Sequence, residues 1–345
     1  IIVLVYSATV VDMAYILAPS TPSTLSIRII ELYQQPEIQN ICFASSLCII
    51  QLVIVLLLIF LIYIFEKKFK FGIFVRLYIN CFPRKIEFFE KKLFILSISI
   101  MSVSILSILM IFFWSISEYW NFPEIIPSKL TFKNLTNFVN DFSSSILNSF
   151  FIAFLSSFFS FLIILIWLEI TENINFVKSK LEFLFLLPIL IPELSLLLGI
   201  NYIFTYYNIN GKFFALVWVV TLYVLPYTFL IFAPAYRTIN RKFIHVAKTL
   251  GKSDLRIFTT IKMPLLSQTI ILTLGVGMLV SIGLYTPIYI IGDNIITTLS
   301  IEVINLSSSG NRKDLAVATI LQMFLPLLIL ASVFYINKIS TRWRY

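Results

Sequence analysis

The stretch His245-Val246-Ala247-Lys248-Thr249-Leu250-Gly251-Lys252-Ser253-Asp254-Leu255-Arg256-Ile257-Phe258-Thr259-Thr260-Ile261-Lys262-Met263-Pro264 decides the fold class. It is polar and basic, and it sits between two apolar runs, 213–235 and 267–290, that are long enough to cross a bilayer. From Arg237 to Leu266 the basic residues are Arg237, Arg241, Lys242, Lys248, Lys252, Arg256 and Lys262, against the single acid Asp254. Ile244, Ala247 and Leu250 recur at a spacing that places them near one face of a helix. Gly251 follows where a helix stop favours positive φ. Ser253 is placed to cap a second helix with Asp254 in its first turn. Leu255, Phe258 and Ile261 mark the apolar side of that helix, and Pro264 is expected to end it. Segment 236–266 thus reads as two short amphipathic helices, bent at a glycine, on the inner face of a membrane.

Composition agrees. The chain of 345 residues is 59% hydrophobic and 12% charged, where a soluble domain carries about 25% charged residues. That much apolar surface needs the bilayer as solvent. The expected fold class is an all-α polytopic transmembrane helical bundle of about eight spans: 1–17, 41–64, 93–114, 144–168, 181–204, 213–235, 267–290 and 314–336. Basic loops stay on the cytoplasmic side. Placing 66–92, 169–180, 236–266 and the C-terminal 337–345 there gathers all of the 26 Lys and Arg except Arg28, Lys129, Lys133, Lys212, Arg312 and Lys313. The net charge of +9 therefore serves topology rather than a nucleic-acid partner. Trp114, Tyr119 and Trp120 fit an aromatic belt at an outer boundary.

Cys42, Cys48 and Cys81 lack metal-ligand spacing and His245 is the one histidine, so neither a metal centre nor a cofactor is expected. No phosphate-binding G-x-x-x-x-G-K-[ST] run and no Ser/His/Asp set is present, so no catalytic residue is assigned and any energy source must be another polypeptide.

The chain also repeats itself. Thr24-Leu25-Ser26-Ile27 matches Thr298-Leu299-Ser300-Ile301 at an offset of 274 residues, and Tyr15/Tyr289, Ile16/Ile290, Ile30/Ile304 and Leu32/Leu306 keep that offset. The expected organisation is the last two spans of a first copy (1–65), a cytoplasmic linker (66–92, with Cys81 and Pro83) and a complete six-span second copy (93–345) carrying loop 236–266. Two copies with an even number of spans point the same way through the membrane, related by an axis along its normal. Because the chain begins within an apolar run and without methionine, it is expected to be N-terminally incomplete.

The spacing His245-Val246-Ala247-x3-Gly251-x9-Ile261-x-Met263-Pro264 resembles the cytoplasmic "EAA" loop, E-A-A-x3-G-x9-I-x-L-P, of ABC-transporter permeases of the binding-protein-dependent (MetI-like) family. Ala247, Gly251, Ile261 and Pro264 match that pattern. His245 stands for the acidic residue, Val246 for the first alanine and Met263 for the leucine, so a salt bridge made by the usual acid would be altered. Asn148-Ser149-Phe150 resembles the family's "N-S" start of its core. Leu187-Pro188 through Pro192-Glu193 resembles its proline-rich third span, and Phe232-Ala233-Pro234-Ala235 leads into the loop. The fused two-copy layout, with Gly292 through Ile301 after the fifth span, looks most like ferric-iron and thiamine importer permeases. The segment from Ile16 to Leu25 leans toward their uncharacterised relatives.

The resemblance implies a multi-pass permease subunit of an ATP-driven importer in a bacterial inner membrane, its C-terminus cytoplasmic. The implied partners are a cytoplasmic ABC ATPase dimer, whose groove receives the helix before the glycine, an extracytoplasmic solute-binding protein and the lipid bilayer. The solute is open among ferric iron, thiamine, polyamine and others. For the solute path the candidates are Glu193, an acid inside a span where charge is costly, and Asn201, Tyr202 and Asn148. Glu193 reads as a gate or weak cation contact along the path or, alternatively, as a protonated or interhelically bonded packing residue, and buried polar contacts between helices explain Asn201, Tyr202 and Asn148 equally well. The alternative function is an ion-gradient-driven secondary transporter or channel. It calls for more ionisable residues within spans and leaves loop 236–266 unexplained.

Overall fold

A computed structural model describes residues 2–17, 21–35, 37–69, 83–120, 124, 126–171, 181–293 and 295–342. Residues 70–82 of the expected linker 66–92, including Cys81, and 18–20 of the segment from Ile16 to Leu25 lie outside the described residues. The chain forms two compact units, one of 1–141 with 306–320 and one of 142–305 with 321–345.

The first unit holds α1 (Ile2–Thr9), α2 (Asp12–Leu17), α3 (Leu25–Tyr33), α4 (Ile38–Phe69) and α5 (Pro83–Ile116). A short antiparallel pair, β1 (Ser117–Tyr119) and β2 (Lys129–Leu130), and α6 (Lys133–Asp141) follow. Asn134 fastens this end of α5 by donating to the carbonyls of Ser115 and Ser117. The expected aromatic cluster is here: Trp114 and Trp120 lie 4.9 Å apart, Arg312 stands over Trp114 and Lys313 over Tyr119.

The second unit is built on α7 (Ser143–Thr171), the pair α8 (Phe183–Leu190) and α9 (Glu193–Tyr206), and α10 (Phe213–Arg237). Next come α11 (Arg241–Thr249), α12 (Asp254–Ile257), a π-helical turn Phe258–Lys262, α13 (Met263–Gly283), α14 (Thr286–Gly292) and α15 (Leu299–Ser309). The last helix, α16 (Arg312–Arg342), begins in the first unit and ends in the second. Helices α7, α10 and α13 form the core. Ile152, Leu216, Val220, Val224 and Ile288 fill one end of it, and Phe161, Ile164, Phe229, Phe232 and Leu266 the other.

Lipid tails are as apolar as these side chains, so close packing and interhelical hydrogen bonds must hold the helices together. Small residues of α7 supply both. Ser156 bonds Ser281, Ser157 bonds the carbonyl of Leu274, and Ser160 bonds Thr228. A Cβ on Gly277 would lie 2.5 Å from Ser157 Oγ, and one on Gly275 would lie 2.4 Å from Val333 Cγ2.

Among the described residues six helices are long and apolar enough to span a membrane, or seven if α8 and α9 count as one bent span. Three of the eight expected spans have different boundaries. Ile191 is extended (φ −86°, ψ 137°) ahead of Pro192, as the residue before a proline prefers, and α8 and α9 meet there at 105°. The expected span 267–290 ends at Gly283, because Pro287 has no N–H to offer the Gly283 carbonyl. The helix restarts as α14 with Pro287 in its first turn. The expected span 1–17 is also divided, at residues 10–11, into α1 and α2.

That shared break belongs to a wider correspondence. With the 274-residue offset, α1 and α2 end and begin where α13 ends and α14 begins. Ser26 and Ser300 are both buried. Ser26 Oγ accepts from Gln51 Nε2 at 2.9 Å and lies 3.5 Å from the Thr9 carbonyl it donates to. Ser300 Oγ accepts from Gln322 Nε2 at 3.1 Å and donates to the Ile282 carbonyl at 2.7 Å. Each unit thus ties a short helix to an earlier helix and to the long helix that follows it through one serine. The glutamines are 271 residues apart rather than 274, about one helical turn out of register.

Candidate functional site

Loop 236–266 is written by local chemistry. Asn240 caps α11, its Oδ1 accepting from the Lys242 amide at 3.0 Å. Gly251 ends it at φ +72°. The Gly251 amide donates to the Lys248 carbonyl at 3.0 Å and the Lys252 amide to that of Ala247 at 3.1 Å, the paired bonds of a Schellman stop. Ala247 is the one buried residue among the described side chains of α11, whereas Phe243, Val246 and Leu250 are exposed. Ser253 starts α12 as expected, but its hydroxyl makes no capping bond. Lys248 and Asp254 pair at 3.0 Å across the bend, both largely exposed, an arrangement worth little to stability.

Two expectations fail beyond the glycine. Pro264 does not stop the second helix: α12, the π turn and α13 run on as a continuous stretch from Asp254 to Gly283. Pro264 follows directly on the π turn, at the second residue of α13, inside a helix that continues past it. Leu255 is exposed and the buried side chains are Ile257 and Lys262. The π turn has a wider repeat than 3.6 residues and rotates the buried face away from the spacing read in the sequence.

The fold brings most of the expected loop residues together. A groove of about 680 Å³ runs between α11 and the start of α13, lined by Val246, Ala247 and Leu250 on one side and Ile261, Pro264 and Leu265 on the other. Lys242 and Lys252 add charge to its lining. Gly251 forms the bend beside it, Met263 is half-buried and His245 is exposed.

The other candidates scatter. Glu193 opens α9 directly after the break, half-buried, with its carbonyl accepting from Tyr223 Oη at 3.1 Å. Its place in the first turn suits a carboxylate, since the helix dipole is positive there. Asn201 is buried and accepts from Asn210 at 2.6 Å, closing the turn after α9. Tyr202 is 77% exposed. Asn148 donates to the Thr297 carbonyl at 3.1 Å. It stands next to a group not foreseen, in which Ser145 Oγ lies 2.9 Å from Glu302 and 2.7 Å from Thr297 Oγ1. Glu302 is 9% exposed and lies outside every expected span, so its position in the sequence gives no sign of its burial.

No family model matches the chain. Among curated proteins it is 32% identical over 189 residues to the inner membrane ABC transporter permease protein YnjC of Escherichia coli (strain K12), a match covering 55% of this chain and 36% of that protein. It is 27% identical over 229 residues to the putative 2-aminoethylphosphonate transport system permease protein PhnV of Salmonella typhimurium (strain LT2), covering 65% of this chain and 85% of that protein. The PhnV of Salmonella paratyphi A matches equally, at 27% over 229 residues. The chain thus spans little more than a third of YnjC and most of PhnV. These relatives are transport permease proteins, YnjC that of an inner membrane ABC transporter, and a chain with such relatives and six helices of spanning length among its described residues is a multi-pass membrane protein.

Proposed function

We propose that this relative of the ABC-transporter inner-membrane permeases is a permease subunit of an ATP-driven importer, forming a solute path and coupling it to a separate cassette ATPase. One observation carries the reading: α11 is a short capped helix that exposes Phe243, Val246 and Leu250 and runs through Gly251 into a continuous helix ending deep in the bundle. Exposed apolar residues beside lysines, on the basic side of the membrane, suit a cytoplasmic partner with an apolar and acidic surface. The partners are then an ABC ATPase dimer below loop 236–266 and an extracytoplasmic solute-binding protein on the opposite face. The C-terminus is cytoplasmic and ATP is hydrolysed on the partner.

The two-copy organisation belongs to the same proposal. The serine ties at Ser26 and Ser300 and the matching breaks at 10–11 and 284–285 support it. So do the relatives: 189 residues are 36% of YnjC whereas 229 are 85% of PhnV, so the former is much the longer protein. The names of the PhnV relatives suggest phosphonate among the candidate solutes. Glu193, at the bend between α8 and α9, and Asn148, beside Glu302, are the residues proposed to border the path.

The test is purification of the full chain from its native membrane in mild detergent, with partners identified by mass spectrometry and by Mg-ATP hydrolysis. A cassette ATPase that co-purifies is expected. A chain that carries no ATPase under conditions that preserve other membrane complexes would overturn the reading.

A further inference from the structure

One charged cluster in the second unit has no part in the roles assigned so far. Lys262 closes the π-helical turn and its side chain is only 4% exposed. Its ammonium donates to both carboxylate oxygens of Glu169, at 2.8 and 3.0 Å, and to Tyr236 Oη at 3.0 Å. Tyr236 Oη donates in turn to Glu169, and the tyrosine ring lies 5.3 Å from the ammonium.

Glu169 is in the last turn of α7, Tyr236 in the last turn of α10, and Lys262 in the turn that joins α12 to α13. Three helix ends therefore meet at one cation. Arg237 and Glu182 add an ion pair at the same end of α10, with the arginine half exposed.

Stability is a weak explanation for such a cluster. Desolvation of the buried ammonium offsets much of its attraction to Glu169, and solvent screens the pair from the side of Glu169, whose side chain is 38% exposed. What the cluster does supply is a fixed register. An ammonium has three donors, and these partners satisfy them only while the three helix ends keep their mutual positions. A π turn is also a place where the backbone departs from the α-helical hydrogen-bond pattern, and it lies directly between α11–α12 and the bundle. Little of α11 itself is buried.

We propose that Lys262, Glu169 and Tyr236 are the positioning residues through which movement of α11 reaches α7 and α10. The proposal rests on the reading of loop 236–266 as the segment that meets the ATPase.

The test uses the full chain with its co-purified ATPase. Spin labels at positions 147 and 214, both exposed near the starts of α7 and α10, report their separation with Mg-ATP and orthovanadate as the probe. Cys42 and Cys48, with Cys81, are replaced by serine beforehand. The unsubstituted chain is expected to change its label separation on trapping. Lys262→Met, and the paired variant Lys262→Met with Glu169→Leu, should keep the ATPase bound and hydrolysing yet lose that change. Lys262→Arg should keep it. The paired variant guards against a folding defect, because it leaves no unpaired buried charge. A native label change in the assembled paired variant would overturn the proposal. Absence of any ATPase from the unsubstituted chain would instead overturn the parent reading of the loop.

Discussion

Gly251→Ala isolates the conformational requirement of the loop. Gly251 has φ +72° and nothing lies within 4 Å of where a Cβ would stand, so the substitution meets no atom and its whole cost is backbone. A left-handed conformation costs a residue with a Cβ about 1–2 kcal/mol. The stiffer unfolded chain offsets about 0.4–1 kcal/mol of that, leaving a net loss on the order of 1 kcal/mol. The bonds at risk are the Schellman pair from the Gly251 and Lys252 amides. A loss of that size raises the open population of the bend about fivefold. Hydrogen–deuterium exchange of peptides covering 246–253, on the detergent-purified chain, should show about fivefold faster exchange for Gly251→Ala. Gly251→Asn should fall closer to the native chain, since asparagine tolerates the left-handed region, and Gly251→Val should exceed alanine. Peptides from the middle of α7 should not change. Native exchange in Gly251→Ala, or equal exchange in the alanine, asparagine and valine variants, would refute the reasoning.

Other perturbations separate local capping from bundle packing. Asn240→Ala removes the cap of α11 and should cost about 1 kcal/mol, read as faster exchange over 241–249 with the bundle unaffected. Gly277→Ala forces a methyl to within 2.5 Å of Ser157 Oγ and should destabilise the bundle by about 1–3 kcal/mol, seen as a lower aggregation temperature. Adding Ser157→Ala should recover part of that loss, and Gly283→Ala, which meets nothing within 4 Å, should be silent. Ser26→Ala and Ser300→Ala should each strand the amide of a glutamine and cost about 1–3 kcal/mol. A large effect at one serine and none at the other would argue against the repeat.

The parts of this fold that follow from neighbouring residues were legible in the sequence. Gly251 announces the stop of α11, and the apolar runs announce the long helices. Pro192 announces the break after α8, although not its angle. Pro287 carried the same information about the end of α13, but it was masked by the apolar residues on both sides. Met13 stands at the corresponding place near the N-terminus, so proline does not explain the break at 10–11, and the structure offers no other cause. Leu255 was misplaced because a π turn changes the helical repeat, and no residue type marks such a turn. The Lys262 cluster was invisible for a different reason. Lys262 and Glu169 are 93 residues apart, and in the sequence Lys262 is one more basic residue in a basic loop. Ser145 and Glu302, 157 residues apart, were hidden in the same way. Pairings of that range are set by packing, and one chain's periodicity does not encode them.

What touches α11 at the inner membrane face decides whether loop 236–266 couples to an ATPase. A photo-crosslinking amino acid at position 246, which is 59% exposed, addresses this in intact membranes. Capture of an ATP-hydrolysing cassette protein, lost when the same probe is moved to buried position 247, is the predicted result. Adducts with phospholipid alone, and never with a nucleotide-hydrolysing protein, would contradict it.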